Sequence, residues 1–134
     1  AYVSKALALG ADAVSIGSAA MIAIGDNDPQ WEKEYKKIGT VSGAYDDWHE
    51  GRDPAGISTQ DEKLMKRLDP IKAGKKLSNY LKVMTLEAQT IARACGKNNL
   101  HNLEPEDLCA LTVESAAMAR VPLAGTNWIP GLDK

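Results

Sequence analysis

Cysteine is scarce in this sequence, with only Cys95 and Cys109 among 134 residues. Two cysteines are too few for a disulfide framework, and their spacing fits no metal-binding motif. We therefore expect a reducing, cytoplasmic setting, with both side chains buried as small apolar groups.

Long apolar runs and clustered basic residues are missing as well. No stretch approaches the roughly 20 apolar residues of a membrane span, and no signal peptide is visible. The formal net charge is −2 and the basic residues are spread along the chain, which predicts neither a nucleic-acid nor a membrane partner. The length suits one domain. Because the chain opens at Ala1 in helical pattern without a cap, we expect a fragment.

The stretch DAVSIGSAAMIAIG, residues 12–25, joins an apolar run to a glycine turn and a small-residue helix. Residues 13–16 lack polar alternation, which is typical of a strand buried on both faces in a parallel sheet. Gly17, Ser18 and Ala19 then offer successive backbone N–H groups at a helix N-terminus, where the helix dipole favours an anion. The pattern predicts a phosphate site. Alternatively, the small residues only let strand and helix pack closely.

The rest of the chain is expected to be mainly helical. Helices are predicted over residues 1–9, 18–24, 29–37, 60–68, 70–95, 104–111 and 113–120. We expect N-caps at Asp28, at Thr59 or Asp61, and at Thr112, and a C-terminal stop for the longest helix at Gly96.

The longest predicted helix carries an apolar stripe at helical spacing. Its members are Leu77, Leu81, Met84, Ala88, Ile91 and Cys95. The stripe is consistent with a cofactor groove, but packing against the body of a larger protein explains it more simply.

Residues 38–58 form a glycine-rich segment with no predicted secondary structure, and loops of this length are usually functional or disordered. Tyr45 and Trp48 argue for packing rather than disorder. Acidic residues surround His49 at Asp46, Asp47, Glu50 and Asp53. They suit either an acid–base or metal cluster or a solvated acidic loop. No nucleophile–base arrangement is evident, so the catalytic residues stay unassigned and no metal ligands are predicted.

Five stretches together resemble the C-terminal part of the FMN-binding glutamate synthase family. They are KALALGADAVSIGSAAMIAIG, DPAGISTQD, LSNYLKVMTLEAQTIARACGK, LEPEDLCAL and VPLAG. The resemblance implies an α/β fold in which residues 1–25 end a (β/α)8 barrel as helix seven, strand eight and the phosphate turn. Gly17, Ser18 and Ala19 would then bind the FMN phosphate. Residues 26–60 would form a loop, and residues 61–134 a helical C-terminal extension.

The loop departs from the family pattern at the family's iron–sulfur motif, C-x5-C-x4-C-P-x-G-I-x-T-Q. The downstream part survives as PAGISTQ, residues 54–60, while Ser42, Trp48 and Asp53 occupy the three cysteine positions. None of them supplies a thiolate, and iron–sulfur clusters are held chiefly by thiolates. We therefore expect no cluster in this segment.

A missing cluster favours a reaction with no net redox change. The loop resembles most closely the flavin subunit of N-methylglutamate synthase, which exchanges the ammonia of glutamate for methylamine. The resemblance implies an FMN-dependent oxidoreductase acting on glutamate and 2-oxoglutarate-type compounds. Its implied partners are the remainder of the barrel, glutaminase-like and other glutamate synthase-like subunits, in an oligomer. Alternatively, the segment is a non-catalytic assembly module whose long helix docks on a partner subunit.

Overall fold

The computed structural model describes residues 2–132, except for the side chain of Trp48. Within that range the chain forms six α-helices. They are α1 (Tyr2–Ala8), α2 (Gly17–Ile24), α3 (Glu32–Lys37), α4 (Glu62–Met65), α5 (Pro70–Ala94) and α6 (Val113–Ala119). Short 3₁₀ turns lie at Pro29–Trp31, Trp48–Glu50, Leu100–Asn102 and Pro105–Asp107. The prediction of a mainly helical chain is confirmed.

The predicted strand at residues 13–16 is irregular. Ile16 has extended backbone angles of φ −126° and ψ 92°, but residues 2–132 contain no β-strand. The pairing between Ala110 and Leu123 is an isolated β-bridge. A strand needs a neighbour to satisfy its backbone hydrogen bonds. The eighth barrel strand and the (β/α)8 barrel therefore stay predictions.

The chain divides into two compact units, each with its own contacts. The first comprises Ala1–Ser15 with Val83–Lys134. One of its cores contains Ala8, Ala92 and Leu103, which are 2–5% exposed, and joins α1 to the C-terminal half of α5. This half-buries Cys95, so the expectation of a buried thiol holds only in part.

Lys97 forms ion pairs with acidic residues of the segment that follows α5. Its ammonium lies 2.9 Å from a carboxylate oxygen of Glu106, 3.4 Å from Glu104 and 3.6 Å from Asp107. These acids, most of all Glu106, raise the pKa of Lys97 above its usual range. The ion pairs thus hold the 3₁₀ turn Pro105–Asp107 against the end of α5.

The predicted helix at 104–111 is wrong beyond its first turn, which is the 3₁₀ turn Pro105–Asp107. Ala110 instead pairs with the tail of the chain: its N–H donates to Pro122 O at 2.9 Å, and its carbonyl accepts from Ala124 at 2.8 Å. These hydrogen bonds use the backbone groups of Ala110 that a helix would need, so residues 108–111 are not helical. They also leave Cys109 exposed, which corrects the prediction of a buried side chain.

The second unit comprises Ile16–Lys82. Asp28 caps the turn before α3 by accepting from Gln30 N at 2.9 Å, as predicted. Asp61, rather than Thr59, caps α4 by accepting from Lys63 and Leu64. The predicted helix at 60–68 shrinks to Glu62–Met65.

The longest helix, α5, has 25 residues and begins and ends where the sequence predicts. Along its apolar stripe Ala88 is buried, Leu77, Met84 and Ile91 are half-buried, and Leu81 is 38% exposed. No helix in residues 2–132 combines the length and the apolar character that crossing a bilayer requires.

Candidate functional site

The predicted phosphate turn is the N-terminus of α2. The helix starts at Gly17 after Ile16, which supplies no side-chain cap, and its first turn contains no acidic residue. Gly17 and Ser18 are exposed and Ala19 is half-buried. The N–H groups of a helix's first turn have no partners within the helix. Three such groups therefore belong to residues that are exposed or half-buried, and the first turn of α2 supplies no acidic side chain to them.

Gly17 leaves this surface clear. A Cβ built on it would meet no atom of the chain within 4 Å, and its backbone is not in the left-handed region. The chain itself therefore does not require glycine at this position. A close approach by a ligand to the backbone is one reason for a glycine here.

The side-chain amide of Asn27 forms hydrogen bonds to the glycine-rich loop at residues 43–45. Asn27, which has a left-handed backbone at φ 57°, accepts from the N–H groups of Gly43 and Tyr45 at 3.0 Å each. Its own amide donates to Tyr45 O at 3.2 Å. We call these three bonds the Asn27 latch, and they fix the path of residues 43–45.

The far end of the loop folds around the carboxylate of Asp53. That side chain has no exposed surface, and it accepts backbone N–H bonds from Ala55 at 2.9 Å, Ile57 at 2.9 Å and Ser58 at 3.1 Å. We call this arrangement the Asp53 turn. Both carboxylate oxygens are used, so the turn is organised by one side chain of its own segment.

Two tyrosines pack beside these anchors. Tyr35 is fully buried and Tyr45 is 3% exposed, with ring centroids 5.8 Å apart. The Tyr35 hydroxyl donates a long bond of 3.4 Å to Asp53. Burial, followed by the charge of Asp53, raises the pKa of both tyrosines, so both hydroxyls stay neutral and act as donors. The buried Tyr45 confirms the prediction of packing; the side chain of Trp48 lies outside the described part.

Asp26 is a second buried carboxyl group in this region. It is 3% exposed, its Oδ2 accepts from the Asn27 amide at 3.1 Å, and its Oδ1 has no partner. Burial raises the pKa of Asp26, the hydrogen bond from Asn27 opposes this rise in part, and the charge of Asp53 adds to it. The sequence interpretation did not single out Asp26 or Asn27. The polar run GDND after an apolar helix signals a turn, but it does not indicate burial.

Ser42, Trp48 and Asp53, which occupy the cysteine positions of the family motif, have different local structures. The N–H of Ser42 donates to Glu32 Oε2 at 2.8 Å, and this bond holds the pKa of Glu32 below its usual range. The carboxylate oxygens of Asp53 accept hydrogen bonds from the backbone N–H groups of Ala55, Ile57 and Ser58. For Trp48 only the backbone, in a 3₁₀ turn, is described.

The structure also brings three exposed side chains of the loop together. Asp47, His49 and Glu50 each place a polar atom within 4.8 Å of the others, and Glu50 also pairs with Arg52. Asp46, the other acidic neighbour, is exposed. This arrangement suits a solvated acidic surface as well as an acid–base group, so both interpretations of His49 stay open.

Comparisons with known proteins connect the chain to one family. Residues 44–98 match the conserved region in glutamate synthase. The match includes most of the glycine-rich segment at residues 38–58 and all of α5. The chain is 79% identical over 131 residues to a glutamate synthase large subunit-like protein of Rhizobium meliloti, covering 98% of this chain and 30% of that protein.

More distant relatives agree. An archaeal glutamate synthase [NADPH] of Methanocaldococcus jannaschii is 37% identical over 103 residues, which is 77% of this chain and 17% of the relative. An archaeal-type glutamate synthase [NADPH] of Dehalococcoides mccartyi is 33% identical over 127 residues, which is 92% of this chain and 22% of the relative. No solved structure matches the chain. The chain spans less than a third of the length of these relatives, and the matches support the glutamate synthase family.

Proposed function

We propose that this chain is part of an FMN-dependent, glutamate synthase-like oxidoreductase acting on glutamate and 2-oxoglutarate-type compounds. The observation that carries the proposal is the open N-terminus of α2 in a chain related to glutamate synthases over nearly its whole length. The proposed barrel would pack against α2. All eight of its residues are exposed or half-buried within this chain, including Ile22 at 60%.

The residues present fit the phosphate end of FMN. The backbone N–H groups of Gly17, Ser18 and Ala19 would hold the phosphate, the Ser18 hydroxyl would add a donor, and the positive end of the α2 dipole would favour the charge. When bound, FMN would supply reversible hydride transfer. This segment would contribute position and charge stabilisation at the phosphate.

Gly17→Val tests the phosphate site. We expect the whole protein that carries this segment to lose about 10- to 100-fold in FMN affinity, because branched methyl groups would block a backbone contact of about 1–3 kcal/mol. Flavin retained after purification and its dissociation constant are the measurements. Gly74→Val is the matched control, since a Cβ there also meets nothing within 4 Å. Equal FMN affinity in the Gly17→Val and wild-type proteins would contradict the site.

We further propose that the loop at residues 42–53 holds no iron–sulfur cluster. What supports this is the Asp53 turn, because the oxygens that replace a thiolate are already bonded to three backbone N–H groups. Carboxylates are also harder ligands than the sulfur that such clusters require.

Metal analysis tests this prediction. The whole protein should show flavin absorbance with neither iron nor acid-labile sulfide attributable to this loop. Near-stoichiometric iron that is lost when Ser42 and Asp53 are both changed to Ala would contradict it. The favoured activity would then be a glutamate synthase driven by an external electron donor.

The finer proposal is amine exchange giving N-methylglutamate. Exchanging ammonia of glutamate for methylamine involves no net oxidation or reduction, so it suits a segment without an electron relay. The diagnostic assay supplies glutamate and methylamine with no reductant and measures N-methylglutamate and ammonia. Product that forms only when a reductant and 2-oxoglutarate are added would instead indicate glutamate synthesis.

A second candidate is a non-catalytic assembly module. Val83 and Leu86 of α5 are 67% and 57% exposed, and Met118 of α6 is 86% exposed, so both helices carry apolar surface suited to docking. A stable, flavin-free oligomer of the isolated chain would favour this candidate. Bound flavin in the whole protein, lost on Gly17→Val, would favour the enzyme.

A further inference from the structure

The buried carboxyl group of Asp26 adjoins the Asn27 latch. Its Oδ2 accepts from the same Asn27 amide that donates to Tyr45 O. Its Oδ1 is buried without a hydrogen-bond donor. An ionised carboxylate in such a place loses its hydration without a replacement.

The surroundings of Asp26 add no positive charge at contact distance. Within residues 2–132, the ion pairs given by the structure involve neither Asp26 nor Asp53. The titratable and charged groups around this polar core are Asp53, Tyr35, Tyr45, Asp47 and Arg52. Two of them are buried neutral phenols, and the charge that raises the pKa of Asp26 is that of Asp53. The arrangement therefore favours a proton on Asp26, and Oδ1 is the oxygen available to carry it.

We propose that Asp26 makes the Asn27 latch proton-sensitive: protonated Asp26 holds residues 43–45 closed, and ionised Asp26 loosens them. Ionised Asp26 favours a state in which water reaches the carboxylate, because hydration removes the penalty of burying the charge. The Asn27 amide, which donates to both Asp26 and Tyr45 O, couples that state to the latch. The proposal concerns the loop itself and holds whether or not the chain binds FMN.

The direction of the pH effect follows from proton binding. The open segment exposes Asp26, whose pKa is then the usual value of about 3.9. Burial raises the pKa in the closed state, so between the two values the closed state binds more protons. Its stability therefore falls as pH rises through that window and is constant above the closed-state pKa. Each unit of pKa difference lowers protection about tenfold.

Hydrogen–deuterium exchange of the whole protein between pH 4 and pH 8, corrected for intrinsic rates, tests the latch. The readout is a peptide covering residues 43–46, because the amides of Gly43 and Tyr45 donate to Asn27. A peptide from α5 is the internal reference. We expect protection of 43–46 to fall as the pH rises, because burial raises the pKa of Asp26 in the closed state, while the α5 reference stays level.

Asp26→Asn should abolish this pH dependence because the amide does not titrate. Asp26→Leu, which has the same branching, a somewhat larger volume and no polar atoms, is the second variant if Asp26→Asn does not fold. Asp46→Asn removes an exposed carboxylate of the same loop and should leave the profile unchanged. A flat wild-type profile, a slope that survives the loss of Asp26, or equal flattening by Asp46→Asn would overturn the proposal.

Discussion

Asp53→Asn should destabilise the second unit by about 2–4 kcal/mol. An amide offers one acceptor oxygen, so its NH₂ group must face either the Ala55 N–H or those of Ile57 and Ser58. At least one buried donor then loses its acceptor and meets another donor, at about 1–3 kcal/mol for each unsatisfied group. Urea unfolding followed by circular dichroism measures the loss.

The control for this substitution is Asp46→Asn, which makes the same chemical change on an exposed side chain. It should alter the free energy of unfolding by less than about 0.5 kcal/mol. If Asp53→Asn were equally mild, the Asp53 turn would not be what shapes residues 53–58.

Gly56→Ala should be at least as damaging, and we expect a loss of more than about 4 kcal/mol or failure of the unit to fold. A Cβ at this position would lie 2.1 Å from the Leu64 carbonyl oxygen and 3.0 Å from its carbon. Both are backbone atoms at the end of α4, so neither can rotate away. The left-handed backbone, at φ +79°, adds strain.

Gly39→Ala separates the two causes. Gly39 has a similar φ of +85°, but a Cβ there meets nothing within 4 Å, so only the conformational penalty applies. That penalty is about 1–2 kcal/mol for a residue with a Cβ. Thermal unfolding of both variants should rank Gly56→Ala well below Gly39→Ala; equal midpoints would show that α4 moves aside to make room.

Local signals made the helix boundaries predictable. Asp28 and Thr112 cap helical turns as expected, and Gly96, with φ +74°, follows the end of α5. In each case the deciding hydrogen bond or backbone angle lies within a few residues of the signal. Such contacts depend little on the rest of the fold.

Contacts between distant residues caused the failures. The segment around Ala110 has a helix-start pattern, but its hydrogen bonds go to Pro122 and Ala124, which no local pattern reveals. Residues 13–16 form no strand within residues 2–132, and their place in a barrel stays a prediction. Non-local pairing routinely overrides local propensity.

The start of α2 was predictable from the sequence, whereas the bonding within the Asp53 turn was not. Gly17 does begin a helix, and Asp53 does stand in a structured turn. The motif comparison treated Asp53 only as a poor metal ligand. The sequence Asp53-Pro54-Ala55-Gly56 also carries the signature of a side-chain-stabilised turn. That signature could have indicated the bond to Ala55, though not the bonds to Ile57 and Ser58.

The Asp53 turn also affects how the protein is made. Its anchor is an oxygen ligand encoded in the chain, and its donors are amides of the same segment. The turn is held by hydrogen bonds within its own segment, so the proposed loop without a cluster would need no delivery of iron or inorganic sulfide to take this shape. Nothing in it can be damaged by oxygen in the way that a thiolate can. The proposal of a loop without a cluster therefore predicts that this turn forms equally well under iron-starved and iron-replete growth.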